Sequence, residues 1–335
     1  MKGGESPSMN SPLEPVSVVG LGNMGMGIAF LFAQLGNPVR ICDISMEKTE
    51  RDLGLYRSRI EGQISAGLLD SSVTSALNLL IPVSTPAEAA EGAGMVIEAV
   101  FEDLTVKQSV LGEISNAAAE NCVIATNTSS FPIEMLNDFV KYPERFLGIH
   151  FFNPPELIPG VEVIPSSKTH PEHISAVNLL LRRVGKVPSE VRSSPGFIAN
   201  RLQFALFREA MRCVEDGIAT TDAIDEIVRT TFGFRLGAYG PFAIADMAGL
   251  DVYVSILATL NQGLGERFDI PETLEQLVAA GHLGLKSGSG FKEYSAAATE
   301  QLIVDRNRAY SGLARFIQEL KPTNGDLSDS EMETK

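Results

Sequence analysis

Cysteine is scarce in this chain: Cys42, Cys122 and Cys213 are the only three in 335 residues. They stand far apart in apolar runs, without the spacing of metal ligands, so no metal is expected. An odd, scattered set excludes a disulfide framework and points to buried thiols in a reducing compartment, the cytoplasm. Positive charge is also short, with 27 Lys and Arg against 42 Asp and Glu and a net charge of −15. That balance argues against nucleic acid and anionic membranes as partners, and it leaves any polyanionic ligand to local donors. No apolar run approaches the ~20 residues of a membrane span. The opening MKGGESPSMNSPLEP holds one Lys and reads as neither a signal nor a transit peptide. Residues 1–13 and the acidic residues 322–335 are expected to be disordered tails.

With 44% hydrophobic and 21% charged residues, the chain is globular in composition. Its length allows two domains that bury about three quarters of the unfolded surface. The most informative stretch is FLGIHFFNPPELIPGVEVIP, residues 146–165. Two β-rich runs flank a breaker segment from Asn153-Pro154-Pro155 to Pro159-Gly160, which predicts strand, turn, strand. If the chain folds back at Glu156, residues whose numbers sum to 312 face each other, and His150 meets Glu162. A carboxylate fixes the tautomer of an imidazole and raises its basicity, which makes a general base. The competing reading is a buried His satisfied by a backbone carbonyl, with Glu162 on a solvated face.

Near the start, the β-rich run Val16–Val19 leads into Gly20-Leu21-Gly22-Asn23-Met24-Gly25. Ile28, Leu31, Phe32 and Leu35 follow at helical spacing, and a strand ends in Asp43. This order of strand, glycine turn, helix, strand and acid is a dinucleotide-binding pattern. Gly20 permits the tight turn, Gly22 lets a pyrophosphate approach the backbone, and Gly25 lets helix pack on strand. The phosphates would sit on the N–H groups at the helix N-terminus. Asp43 would bind the adenosine ribose and repel a 2′-phosphate. Residues 44–46 supply no Arg to receive one, so NAD is favoured over NADP.

Residues 46–80 read as helical, with Leu53, Ile60 and Ile64 on one face. Strands are expected at MVIEAV (95–100) and CVIAT (122–126), with helices between, which predicts a parallel sheet. Glu102, Asn127, Ser129 and His150 then lie at strand C-terminal ends, where such sheets bind ligands. Helix capping before Pro132 is the alternative for residues 127–130. Ile174, Val177, Leu181 and Val184 mark another helix, and His170 and His173 before it read as surface residues. Ser194-Pro195 predicts a helix start, and Phe197 to Val214 is apolar on several faces. Such a helix must be buried in a core or against a second subunit. Beyond it only helices are expected, near 221–231, 241–263, 271–280 and 297–320, the last with Ala309, Leu313, Phe316, Ile317 and Leu320 on one face. The fold class is therefore α/β, a Rossmann-like domain over 14–193 followed by an all-α domain over 194–321.

From about residue 14 to 294 the sequence resembles the (S)-3-hydroxyacyl-CoA dehydrogenase family. The matching stretches are GLGNMG (20–25), EAVFEDLTVK (98–107), NTSS (127–130), HFFNPPELIPGVEV (150–163), PGFIANR (195–201), GPFAIADMAGLD (240–251) and GLKSGSGF (284–291). The resemblance implies an NAD-dependent oxidoreductase of fatty acid metabolism that dimerises through its helical part. It implies that His150 is the general base, taking the hydroxyl proton as hydride leaves C3 of a 3-hydroxyacyl-CoA for NAD, and that Glu162 orients it. Ser129 and Asn200 correspond to residues that hydrogen-bond the reacting oxygen. Glu102, Lys107 and Asn127 correspond to positions near the cofactor. For Asn200 the alternative is a buried polar residue of the long helix, and for Lys107 a solvated helix residue.

The sequence departs from that family in three places. Many members carry a lysine-rich turn where this chain reads Ile64-Ser65-Ala66-Gly67-Leu68, leaving Arg57 and Arg59 as the nearby cations. Leu285 and Ser289 stand where basic residues are common. The helix at 297–320 outlasts the short members, as it does in relatives acting on gulonate, carnitine or pyridine carboxylates. The rival substrate class is therefore a free hydroxy acid or aromatic alcohol. A non-catalytic NAD-binding protein is opposed by the intact His150, Glu162, Ser129 and Asn200. A 3-hydroxyisobutyrate-type dehydrogenase is opposed by the His–Glu hairpin.

Overall fold

The computed structural model describes residues 13–319, and the chain divides into two compact units, Met1–Phe207 and Arg208–Lys335. Of the tails expected at 1–13 and 322–335, only Leu13 is described; it is buried in the core, and the remainder, with Leu320, lies outside the described residues.

The first unit runs β1 (Val16–Val19), α1 (Asn23–Ala33), β2 (Val39–Cys42), α2 (Met46–Ser65), α3 (Thr74–Leu77), β3 (Leu80–Pro82), α4 (Pro86–Ala90), β4 (Met95–Glu98), α5 (Leu104–Ala117), β5 (Val123–Thr126) and α6 (Ile133–Leu136). It continues with β6 (Phe146–Phe151), β7 (Gly160–Pro165), α7 (Pro171–Arg183) and β8 (Val187–Glu190), and α8 (Ala199–Glu215) crosses the division. The strands form one sheet in the order β3-β2-β1-β4-β5-β6-β7-β8. Neighbours from β3 to β6 are parallel, β7 is antiparallel to β6, and β8 is parallel to β7. The parallel part has the Rossmann order 3-2-1-4-5-6.

The strands VSVV, MVIE and VIAT are buried throughout, as strands covered on both faces must be. Ile28, Phe32, Ile60 and Leu181 belong to one core cluster, and Ala89, Leu111, Ile114 and Leu136 to the other. The sheet's two edge strands, LIP and VPSE, are short and carry Pro82 and Pro188. Such edges resist pairing with other chains. Neither strand is legible in the sequence: the stretch 46–80 read as helical ends its long helix at Ser65 and enters β3.

The second unit is helical, with α9 (Thr221–Thr230), α10 (Phe232–Leu236), α11 (Pro241–Ala248), α12 (Leu250–Leu264), α13 (Glu272–Ala279) and α14 (Ala296–Glu319). The single helix expected over 241–263 is two, because Gly249 takes φ 104° and α11 meets α12 at 102°. Its core cluster gathers around Ala245, Leu250 and Leu274.

Two expectations are corrected. Cys213 is only half-buried, whereas Cys42 and Cys122 are buried, and burial pushes their thiols up to about 12 and about 11. The long apolar helix begins at Ala199 and holds no buried residue; Leu202, Phe204 and Phe207 are exposed, Phe204 to 61%. A core does not cover that face.

Candidate active site

The β6–β7 hairpin pairs Leu147 with Pro165, Gly148 with Ile164, Ile149 with Val163, His150 with Glu162 and Phe151 with Val161. This is the register expected from a fold-back at Glu156. His150 Nδ1 lies 2.8 Å from Glu162 Oε2, and both residues are buried. The ionised carboxylate accepts a hydrogen bond from Nδ1–H and fixes that tautomer, which leaves the Nε2 lone pair as the acceptor. The other oxygen, Glu162 Oε1, accepts the N–H groups of Ile198 and Ala199 at 2.9 Å each. Burial raises the Glu162 carboxyl, but the bonds from His150, Ala199 and Ile198 outweigh it and hold it below the ordinary carboxylate range.

Those two N–H groups open α8, so the helix is capped by an acid from a distant strand rather than by Ser194. Gly196 at φ 72° and Phe197 at φ 49° turn the chain onto Glu162. A left-handed Phe is strained. Its ring is fully buried 5.6 Å from the His150 ring, and Phe152 covers that ring at 4.6 Å.

The loop after β5 lies at the same sheet edge. Asn127 Oδ1 accepts the N–H of Phe151, beside His150, at 2.9 Å. Asn200 Nδ2 donates to the Ser129 carbonyl at 3.3 Å. Glu102 Oε1 collects the Thr128 hydroxyl, the Ser129 and Ser130 N–H groups and the Ser130 hydroxyl within 2.5–3.0 Å. Burial raises the Glu102 carboxyl, yet the Thr128 bond and the Lys107 charge hold it below its ordinary range. Lys107 is neither solvated nor open to a ligand: its side chain is fully buried between Glu98 (2.9 Å) and Glu102 (3.2 Å). It reaches the site only through Glu102. Glu98 carries no role in the sequence pattern; its signal is a lone acid within the otherwise apolar run 95–100.

The glycine turn follows β1. The Gly20 N–H bonds the Cys42 carbonyl at 2.8 Å, with φ 92°. A Cβ on Gly20 would sit 2.6 Å from the Ala99 backbone, and one on Gly25 would sit 1.7 Å from the Gly20 carbonyl oxygen. Gly22 has open space where its Cβ would be and gives α1 no side-chain cap. Gly22 and Asn23 are exposed, and Met24 packs its side chain on the core. The uncapped N–H groups at this terminus suit an anion, so the residues present fit the pyrophosphate of a dinucleotide. Asp43 accepts the Leu21 N–H at 2.7 Å and the Ile44 N–H at 2.7 Å. Lys48, which no motif in the sequence marks, pairs with Asp43 at 2.9 Å. Burial raises the Asp43 carboxyl, and Lys48 with the two N–H groups brings it below its ordinary value. Ile44 and Phe101 stand exposed just past β2 and β4, a second feature found only in the structure.

The cations expected near a bound polyanion are engaged. Arg57 donates to the Leu77 carbonyl at 2.9 Å. Arg59 pairs with Glu156 at 2.5 Å and stacks over Tyr56, whose hydroxyl bonds the same carboxylate. Ser289 bonds His282 at 2.6 Å, and Leu285 lies in a short turn.

Comparison with known proteins gives a consistent picture. The model of the 3-hydroxyacyl-CoA dehydrogenase NAD binding domain matches residues 15–194, and that of the 3-hydroxyacyl-CoA dehydrogenase C-terminal domain matches 196–294. A 5-formyl-3-hydroxy-2-methylpyridine 4-carboxylate 5-dehydrogenase of Mesorhizobium japonicum is 33% identical, over 90% of this chain and 98% of that one. A probable 3-hydroxybutyryl-CoA dehydrogenase of Bacillus subtilis is 35% identical, over 84% of this chain and 98% of that one. The crystal structure of a 3-hydroxyacyl-CoA dehydrogenase from Archaeoglobus fulgidus superposes with a TM-score of 0.75 at 30% identity, covering 90% of this chain and 98% of that one.

Proposed function

We propose that this chain, which belongs to the 3-hydroxyacyl-CoA dehydrogenase family, oxidises the 3-hydroxyl of a 3-hydroxyacyl-CoA to the ketone with NAD. Residues 14–193 are the NAD-binding domain in this reading, and 194–321 the substrate and dimerisation domain. The 2.8 Å bond from His150 Nδ1 to Glu162 carries it. When bound, NAD accepts the hydride. His150 Nε2 takes the hydroxyl proton, and the ionised Glu162 stabilises the imidazolium that results. The Ser129 hydroxyl and the Asn200 amide hydrogen-bond the reacting oxygen, and in the reverse direction they polarise the carbonyl. Gly20, Gly22, Asn23, Met24 and Gly25 cradle the pyrophosphate on main-chain N–H groups, and Asp43 takes the adenosine ribose. Glu102 and Asn127 line the nicotinamide end, and Lys107 supports them from behind.

A second reading keeps the chemistry and replaces the thioester with a small hydroxy acid or aromatic alcohol. The pairing of Arg59 with Glu156 favours it, because CoA needs cations for its phosphates; Arg57 donates to the Leu77 carbonyl and keeps its charge. Acetoacetyl-CoA and acetoacetate titrated separately, with NADH oxidation as the readout, decide between them. The first reading expects the CoA ester to have a kcat/KM at least about tenfold higher. A ~1.4 kcal/mol preference is that tenfold, and turnover of free acids alone overturns the CoA reading.

The exposed apolar face of α8 supports a homodimer. Phe204→Asp is expected to convert a species of two chains into one in sedimentation equilibrium. A single-chain mass for the unaltered protein at micromolar concentration excludes the dimer.

A further inference from the structure

Three charges sit in line behind the Ser129 loop. Glu98, the last residue of β4, and Lys107, on α5, are both fully buried, and Glu102 is partly so. Glu98 uses both oxygens: Oε1 accepts the Val100 N–H at 2.8 Å and Lys107 at 2.9 Å, and Oε2 accepts the Thr126 hydroxyl at 2.7 Å and Lys107 at 3.2 Å. Lys107 continues to Glu102 Oε2 at 3.2 Å, while Glu102 Oε1 holds Thr128, Ser129 and Ser130. The Ser129 carbonyl then takes the Asn200 amide. A second route leaves the same residue: the Glu98 carbonyl accepts the Asn127 N–H at 2.7 Å, and the Asn127 side chain holds the Phe151 N–H beside His150.

Stability alone is a weak reason for this arrangement. Desolvating paired charges offsets most of their attraction, and apolar residues of the same volume often serve a fold as well or better. A fully hydrogen-bonded charge network, by contrast, fixes geometry. Without the Lys107 ammonium, Glu102 loses the ion pair at Oε2 that holds its far oxygen while Oε1 serves as the common acceptor of the 128–130 backbone.

We propose that Glu98 is a positioning residue that acts through Lys107 and Glu102 to hold Ser129 and Asn200 in register with His150. It touches neither substrate nor cofactor. The proposal rests on the dehydrogenase reading above. Its test compares the full-length protein with Glu98→Gln, Lys107→Arg and the double variant Glu98→Leu/Lys107→Met, with His150→Gln measured alongside. A displacement of about 1 Å at a site can cost roughly a hundredfold. Glu98→Gln and the double variant are expected to lose ten- to a hundredfold in kcat, with KM for NAD within about threefold. The double variant leaves the Val100 N–H and the Thr126 hydroxyl without an acceptor, so it is expected to melt lower yet stay folded at the assay temperature, and circular dichroism at that temperature separates misplacement from unfolding. Lys107→Arg keeps the charge and is expected to retain more kcat than the double variant. If the double variant is folded and turns over at the unaltered rate, the proposal is overturned. If Glu98→Gln raises KM for NAD and leaves kcat unchanged, it is also overturned, since the network then serves cofactor binding. Should His150→Gln stay active, the dehydrogenase reading fails instead, so the two failures are distinct.

Discussion

His150→Gln is expected to lower kcat about a thousandfold, within the 10²–10⁴ that a positioned general base supplies. Glutamine is a polar side chain of similar size, and Glu162 keeps its bonds from Ile198 and Ala199, so the hairpin and the α8 cap have no cause to change. What it lacks is a basic nitrogen lone pair to take the hydroxyl proton. The loss should therefore fall on kcat and kcat/KM together, with NAD affinity within about threefold, the pattern of an interaction made in the transition state. Stopped-flow single turnovers with saturating NAD measure the chemical step directly. A variant within tenfold of the unaltered rate would falsify the assignment of His150 as the base.

Gly25→Ala is expected to abolish useful NAD binding, weakening it by more than about a hundredfold, and to destabilise the first unit by roughly 2–3 kcal/mol. The added methyl would lie 1.7 Å from the Gly20 carbonyl oxygen. Gly20 cannot retreat. Its N–H is bonded to Cys42, its φ is 92°, and the Ala99 backbone stands 2.6 Å from where its own Cβ would be. Either the turn opens or α1 lifts from the sheet, and each removes the N–H cradle at Gly22 and Asn23. Calorimetric titration with NAD, beside urea unfolding, reads both losses. Gly54→Ala, in the middle of α2 with open space at its Cβ, is the control. It should stabilise by about 0.5–1 kcal/mol. Unaltered NAD affinity in Gly25→Ala would show that this turn is not the pyrophosphate site.

The parts of this molecule legible in the sequence are those written in local pattern. The hairpin register follows from breakers centred on Glu156 between two β-rich runs, so the sequence names His150 and Glu162 as partners if the chain folds back there, and the structure has that register. The glycine turn, its helix and the acid after β2 were legible for the same reason. Residues that act across the fold were not. Nothing near Lys107 says that its helix turns it inward, because its partner Glu98 lies in the preceding strand and local spacing does not link the two. Glu156 reaches Tyr56 and Arg59 about a hundred positions earlier. That contact disarms a cation which spacing alone would have left free. Edge strands β3 and β8 escaped notice because three or four residues with a proline carry no period. The break between α11 and α12 escaped because Gly249 sits in continuous apolar helical spacing, and only its left-handed backbone ends the first helix.

Position 162 is more demanding than a hydrogen-bonding role suggests. One of its oxygens faces the imidazole and the other faces two peptide N–H groups, so every neighbour is a donor. A primary amide has one acceptor and one donor end, and whichever way it turned, hydrogen would meet hydrogen on one side. Turned to keep the peptide groups, its NH2 would drive the ring to the opposite tautomer, pointing the basic lone pair into the protein and a useless N–H at the substrate. Aspartate has the right atoms but falls a methylene short of spanning both partners. The position calls for a glutamate because the start of a helix and the His150 ring share a single anion.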